Sequence, residues 1–316
     1  PLSKKKVSRV SHGEVTIQQN RQATESPMAI KGPLVLLCGL VLLAYSASFS
    51  GVFLMDDLTG IVDNPQILKL WPLDGFLTNN RPVGLYTFAL NYAVGQLDPL
   101  GYHVINMMIH LTAAVVLFVI IRRVLLLPCF DNRWSQRTAS WLAWACAAIW
   151  AVHPLTTQAV TYVIQRYESL AALAALLILY GQVLAAEGKR RGVILGIIAA
   201  WLGVMTKETV AMIPLIAVAF DRVFLWTPRL PDSSSTVEVP PVESVSFWSA
   251  SGGRWPFYLG ICSAYAWFLP SVSRWIIPKV DSTASAGFNL KTITPWEYLR
   301  TEPEVLLHYL RQSVWP

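Results

Sequence analysis

Apolar residues run along this chain in long blocks, with polar residues confined to the gaps between them. The blocks are Pro33 to Met55, Val104 to Ile121, Ala139 to Val152, Ser169 to Ala186, Gly192 to Met205, Thr209 to Phe220 and Trp255 to Pro270. An α-helix rises about 1.5 Å per residue, so about 20 apolar residues cross a hydrocarbon core about 30 Å thick. The pattern predicts an all-α, multi-pass transmembrane helical bundle of about seven spans. The fifth and sixth are short and joined at Thr206-Lys207-Glu208. The first block has a lysine-rich lead and small residues at Ala44 to Ser50, as a signal peptide has, but its long polar lead and long apolar run favour a retained anchor.

The gaps divide the chain. Residues 1–32 are polar and are expected to form a disordered cytoplasmic N-terminus; 33–227 form the membrane core, with an outer loop at 56–101. Residues 228–254, rich in Pro and Ser, read as a flexible cytoplasmic linker. Residues 255–316 read as the seventh span and an incomplete outer C-terminal segment.

Composition sharpens the picture. Of 316 residues, 54% are apolar and 14% charged, against roughly 25% charged in an ordinary soluble domain. The net charge of +6 would suit nucleic acid only if Lys and Arg gathered on a soluble face. Instead they sit in the gaps, so nucleic acid is set aside as a partner. With a cytoplasmic N-terminus, the inner gaps collect Lys4 to Lys6, Arg122, Arg123, Lys189 to Arg191, Arg222 and Arg254, as cytoplasmic loops do. Cys38, Cys146 and Cys262 fall inside apolar blocks and Cys129 stands alone, so no disulfide framework is implied. There is no internal repeat, phosphate-binding Gly-rich loop or nucleophile elbow.

That topology brings the polar oddities to one outer face. Asp56 and Asp57 leave the first span there; His103, Asn106 and His110 begin the second; His153-Pro154 ends the third; Arg166 and Glu168 open the fourth; Lys207-Glu208 joins the fifth and sixth. Ionisable groups at membrane depth are costly and mark function by default. Each has a plainer reading beside that one. Asp56 and Asp57 serve either as a base beside a second carboxylate or as a solvated helix cap. His103, Asn106 and His110, at i, i+3 and i+7 on one helical face, serve as interhelical hydrogen-bonding groups or line a cavity; three or four metal ligands in a preset geometry are not in view, and no metal is assigned. Arg166 with Glu168, and Lys207 with Glu208, either neutralise each other or offer cations to a phosphate, and Arg81 joins that set or is a surface charge.

Four stretches in order, FLMDDLTGIVDNPQI, RPVGLYTFALNYAVGQLDPLGYHVINMMIHL, HPLTTQAVTYVIQRYESLAALAALLILY and TKETVAMIPLIAVAFDR, resemble the membrane part of the transmembrane and tetratricopeptide repeat-containing O-mannosyltransferase family and its bacterial relatives. These have the C-type glycosyltransferase fold. The resemblance runs from Phe49 to Arg222 and more faintly from Tyr298 to Pro316. It implies a hexosyltransferase that moves mannose or a similar sugar from a polyprenyl-phosphate donor to a protein Ser/Thr or other acceptor hydroxyl, protein or glycan, on the outer face. The displacement would be inverting, with no metal and no cofactor. Asp56 and Asp57 match the family's acidic motif, and His153-Pro154, Arg166 with Glu168, and Lys207-Glu208 match its other motifs; Gln158, Gln165 and Tyr167 depart from it.

The implied catalytic residues are therefore Asp56 and Asp57. The donor phosphate falls to a subset of Arg81, His103, His153, Arg166 and Lys207, with Asn106, His110, Glu168 and Glu208 in support. The lipid tail would lie against the apolar helices. A bacterial plasma membrane is expected ahead of the endoplasmic reticulum. The chain opens at Pro1 without Met and closes at Ser-Val-Trp-Pro, so it is expected to be a piece of a longer protein carrying tetratricopeptide repeats. Two readings of other classes stand beside this one: a transporter, which would show two related halves and charge near the midplane, and an inactive membrane anchor for such repeats.

Overall fold

The computed structural model describes residues 28–130, 133–225, 254–269 and 294–314. The expected disordered N-terminus falls almost wholly outside these residues, as does the expected linker at 228–254 except for Arg254. Among the described residues the structure is helical, with no strand. The helices used below are α1 (Met28–Ala44), α2 (Pro82–Gly95), α3 (Pro99–Leu125), α4 (Gln136–Ala151), α5 (Arg166–Ala186), α6 (Arg190–Val204), α7 (Ile213–Phe220), α8 (Trp255–Cys262) and α9 (Pro295–Val314).

Local chemistry sets the boundaries. The Asp98 carboxylate caps α3 by accepting the Leu100 N–H at 3.1 Å, Pro99 occupies the first turn, and Arg122 and Arg123 face the carbonyl end. Ser135 caps α4 through the Thr138 N–H at 3.1 Å. The first apolar block was expected to stay helical to Met55, but α1 stops at Ala44. There the Ser46 and Ser48 hydroxyls donate to the Leu43 and Tyr45 carbonyls, and a 3-10 turn over Ser46–Ser50 follows. The expected outer loop is itself folded: it contains α2, which buries Leu85, Phe88 and Ala89 in a cluster with Ile61, Ile67, Tyr102 and Val163.

The span count is corrected by helix length. Among the described residues two helices are long and apolar enough to cross a membrane, Pro99–Leu125 and Val163–Ala186. The other expected spans fall short: α4 has 16 residues and α6 has 15, which reach roughly 24 Å at 1.5 Å each. Thr209 to Phe220 is split, because the chain makes a 3-10 turn over Glu208–Met212 and α7 begins only at Ile213. Trp255 to Pro270 is likewise part α-helix and part 3-10 helix.

α3 lies at the centre, packed against α1, α4 and α5, and α5 and α6 form the closest helix pair, with α8 packed mainly on α6 and also touching α5. That pair can close because small residues meet across it. A Cβ on Gly192 would lie 2.4 Å from the Gly181 carbonyl oxygen, so any side chain there would force the helices apart. Two core clusters result, one of Leu37, Phe118 and Ala143 around α3, the other of Ile178, Ala200 and Phe257 around α6. Asp57, His103, Asn106 and Arg166 are buried where α2, α3, α5 and the turn after α6 converge, while Gln182 and Asp221 are buried elsewhere, bonded to Tyr258.

Candidate active site

The chain leaves the Ser46–Ser50 turn extended and reverses at Met55, whose φ of 47° lies in the left-handed region that a side chain disfavours. Asp57 holds this reversal. Its Oδ2 accepts the Leu54 N–H at 3.0 Å and its Oδ1 accepts the Ile164 N–H at 2.7 Å, so one carboxylate ties the outer loop to the start of the Val163–Ala186 helix. Asp57 is 1% exposed. Burial pushes its carboxyl above the ordinary Asp range, and the two N–H groups and nearby His103 only partly oppose this. Asp56 is different: it is exposed, and its N–H donates to the Tyr162 hydroxyl at 2.8 Å.

His103 is buried beside Asp57, and neither ring nitrogen finds a hydrogen bond of ordinary geometry. It can sit there because residue 51 is glycine; a Cβ on Gly51 would lie 2.6 Å from His103 Nε2. One helical turn along α3, Asn106 donates to the Val163 carbonyl at 3.2 Å and accepts Arg166 Nε–H at 2.7 Å. Arg166 is fully buried. Its Nη1 and Nη2 donate to the Thr87 and Tyr102 carbonyls at 3.1 Å, and the guanidinium lies 4.4 Å from the centre of the Phe88 ring. Among the described residues no carboxylate pairs with it.

The expected neutral pairs are corrected. Lys207 pairs with Glu168, and Arg81 forms a forked pair with Glu208, at 3.2 and 2.9 Å. Lys207 is in extended backbone, with φ −156° and ψ 141°, so its side chain and that of Glu208 point opposite ways. Arg166 and Glu168 are two apart on a helix and do not face each other. Desolvation pushes the Glu208 carboxyl up, but the hydrogen bonds and charge of Arg81 hold it below the ordinary Glu range. The Val83 N–H also donates to the Met205 carbonyl at 3.2 Å, docking α2 on the turn that carries Lys207.

The structure thus draws Asp56, Asp57, His103, Asn106, Arg166, Glu168, Lys207, Arg81 and Glu208 around one segment, Tyr162 to Glu168. His110 is not in this group. It bonds the Ala151 carbonyl at 2.8 Å, against Tyr45 and Trp150, and joins α3 to the end of α4. His153 caps the Pro154–Thr156 turn through the Leu155 N–H at 3.2 Å. Sequence reasoning missed Tyr162, Tyr102 and Thr87, whose roles depend on long-range contacts; the only signal was two tyrosines in TYVIQRYES. Among the described residues no three His, Cys, Asp or Glu side chains are grouped as a metal would need. An apolar cavity of about 320 Å³, lined by Leu117, Ile120, Leu176 and Phe220 among others, sits at the opposite ends of α3 and α5 and carries no polar group for chemistry.

The chain is 29% identical over 155 residues to human protein O-mannosyl-transferase TMTC3, covering 44% of this chain and 16% of that protein. It is 31% identical over 166 residues to human protein O-mannosyl-transferase TMTC1, covering 48% and 18%. With protein O-mannosyl-transferase F38B6.6 of Caenorhabditis elegans the match is 29% over 203 residues, covering 60% and 28%. The chain therefore spans well under a third of the length of these relatives. No family model matches it, and no solved structure does. These relatives are animal proteins, and the expectation of bacterial relatives and a bacterial plasma membrane draws no support from them.

Proposed function

Because the chain is a relative of the TMTC protein O-mannosyl-transferases, we propose that it is part of a multi-pass membrane glycosyltransferase of C-type fold. It moves mannose or a similar hexose from a polyprenyl-phosphate donor to a protein Ser or Thr hydroxyl, on the non-cytoplasmic face of a eukaryotic membrane. The family resemblance implies a direct inverting displacement without a metal. The acceptor oxygen bonds to the sugar C1 as the bond from C1 to the phosphate oxygen breaks. The hydroxyl proton passes to a carboxylate, and the electron pair leaves on the lipid phosphate.

The observation that carries this reading is the opposite treatment of two adjacent carboxylates. Asp56 is exposed and free to meet an acceptor hydroxyl, so it is the general base. Both oxygens of Asp57 are committed to backbone N–H groups, so it is a positioning residue. Arg81 and Lys207, turning from Glu208 and Glu168, reach the donor phosphate. Arg166, which is fully buried, acts through its field and by fixing α2, α3 and α5. His103 lines the same face, with Asn106, Glu168 and Glu208 holding the frame, while His110 and His153 order the end of α4 and the turn after it.

The test is transfer of mannose from polyprenyl-phosphate mannose to a Ser/Thr peptide by the full-length parent in membranes. Asp56→Asn should lower turnover by about 10²- to 10⁴-fold, the usual worth of a general base, while insertion and donor binding persist. Near-normal transfer by that variant removes Asp56 as the base.

A further inference from the structure

The helix α9 reads PWEYLRTEPEVLLHYLRQSV. Trp296, Leu299, Pro303, Leu306, Leu307 and Leu310 recur at helical spacing along one side, in a stripe roughly 100° wide, the width of a face that must be covered. Glu297, Arg300, Glu304, His308 and Arg311 lie along another side. Yet the apolar side chains are uncovered: Trp296 and Leu307 are 67% exposed, Leu310 63% and Leu306 59%. We propose that α9 lies flat in the interface of a phospholipid bilayer, its Leu stripe in the acyl boundary and its charged side in water.

Three features select lipid over protein. The described residues include two helices long and apolar enough to span, and only residues 269–294 separate α9 from the apolar Trp255–Phe268 segment, so the bilayer is within reach. Trp296 and Tyr309 add rings with an apolar body and a polar tip, which favour the headgroup level at which a flat helix lies. Pro303 removes a backbone donor within the stripe and leaves the Leu299 carbonyl without its helical partner. That carbonyl needs water, which the interface supplies and the hydrocarbon core does not. The charges of α9 nearly balance, three Glu against two Arg, so apolar burial drives the contact and zwitterionic lipid suffices.

The proposal rests on the membrane reading, and the test separates the two. In the full chain with Cys38, Cys129, Cys146 and Cys262 replaced by Ala, single nitroxides are placed through Leu306→Cys, Leu310→Cys, Glu304→Cys, His308→Cys and, on α3, Met108→Cys. The proteins are reconstituted in phosphatidylcholine nanodiscs, and collision with oxygen is compared with collision with a neutral nickel chelate. Labels at 306 and 310 should favour oxygen, and labels at 304 and 308 nickel. Nickel reaching 306 as readily as 304, with 108 shielded, overturns the interfacial helix alone. Exclusion of both reagents at 306 and 310 overturns it in favour of a protein contact. Label broadening that unlabelled chain relieves identifies a second copy as the occupant and also overturns it. Nickel reaching 108 overturns the membrane reading and the proposal together.

Discussion

Two ends of the bundle bury an arginine, and they treat its charge differently. At one end Arg254, whose side chain is 12% exposed, donates to Asp221 at 2.6 Å; the Tyr258 hydroxyl donates to the other Asp221 oxygen at 2.6 Å and accepts from Gln182 at 3.0 Å. That knot is electrically closed. It joins α5, α8 and the residues after α7, although Arg254 Nε and Gln182 Oε1 find no hydrogen-bond partner among the described residues. At the other end Arg166 is more deeply buried, yet its acceptors are an amide oxygen and two carbonyls, all neutral. The neighbouring carboxylates are engaged elsewhere or exposed. An uncompensated positive charge therefore remains at the start of the helix that follows Tyr162, and under the proposed function it would favour a departing phosphate. The closed end is fitted for cohesion, and the open one carries the proposed site.

The largest effect expected from this contrast falls on the closed end. Asp221→Asn leaves the Arg254 charge buried without a counter-ion, which typically costs about 3–5 kcal/mol. Arg166→Met removes the charge itself. Two of its acceptors, the Thr87 and Tyr102 carbonyls, lie inside α2 and α3 and keep their helical partners, leaving Asn106 as the main orphan at about 1–3 kcal/mol. Detergent-driven or thermal unfolding of the full chain should therefore rank Asp221→Asn as the more damaging change. The opposite ranking would mean that Arg166 is the greater source of cohesion and would break the comparison.

Asp57→Asn should come next, with a loss of about 1–3 kcal/mol, because an amide offers one oxygen where the structure uses two and turns an N–H toward an N–H. The loss should be smaller at high pH. Since burial raises the Asp57 pKa in the folded chain, the wild type binds its proton more readily folded than unfolded, and its stability falls as pH rises from the ordinary Asp value of 3.8 through the folded value. The Asn variant lacks that slope, so the gap between the two proteins should narrow across the window. A gap that widens would mean that the hydrogen bonds outweigh desolvation.

The residues of this site were legible in the sequence to the extent that local rules decide them. Asp56-Asp57 stands out because charge is costly behind an apolar block, and His103, Asn106 and His110 share a face by helical spacing; in the structure all three are buried. The break at Thr206-Lys207-Glu208 falls where a polar triplet divides two apolar runs. What sequence neighbours hid was pairing. The crossed pairs Arg81–Glu208 and Lys207–Glu168 join residues more than a hundred and nearly forty positions apart, and α2 docks beside them through the Val83 N–H and the Met205 carbonyl. The short helices were misread for a related reason: apolar composition marks what is buried, while length depends on where 3-10 turns, Pro and hydroxyl side chains interrupt the ladder.

The smallest effect concerns the forked pair at the rim. The Arg81 and Glu208 side chains are 38% and 48% exposed, so solvent screens them and their coupling should be no more than about 1 kcal/mol. Its sign is fixed by the depressed Glu208 pKa: the contribution is present above the ordinary Glu value of 4.5 and is lost as pH falls through the folded value. A double-mutant cycle of Arg81→Met and Glu208→Gln should therefore give a small positive coupling at neutral pH that vanishes in acid and weakens with salt. Added polyprenyl phosphate should abolish the same coupling at neutral pH if Arg81 turns from Glu208 to the donor. Coupling that survives saturating lipid would keep Arg81 on the frame and leave the phosphate to Lys207 and the field of Arg166.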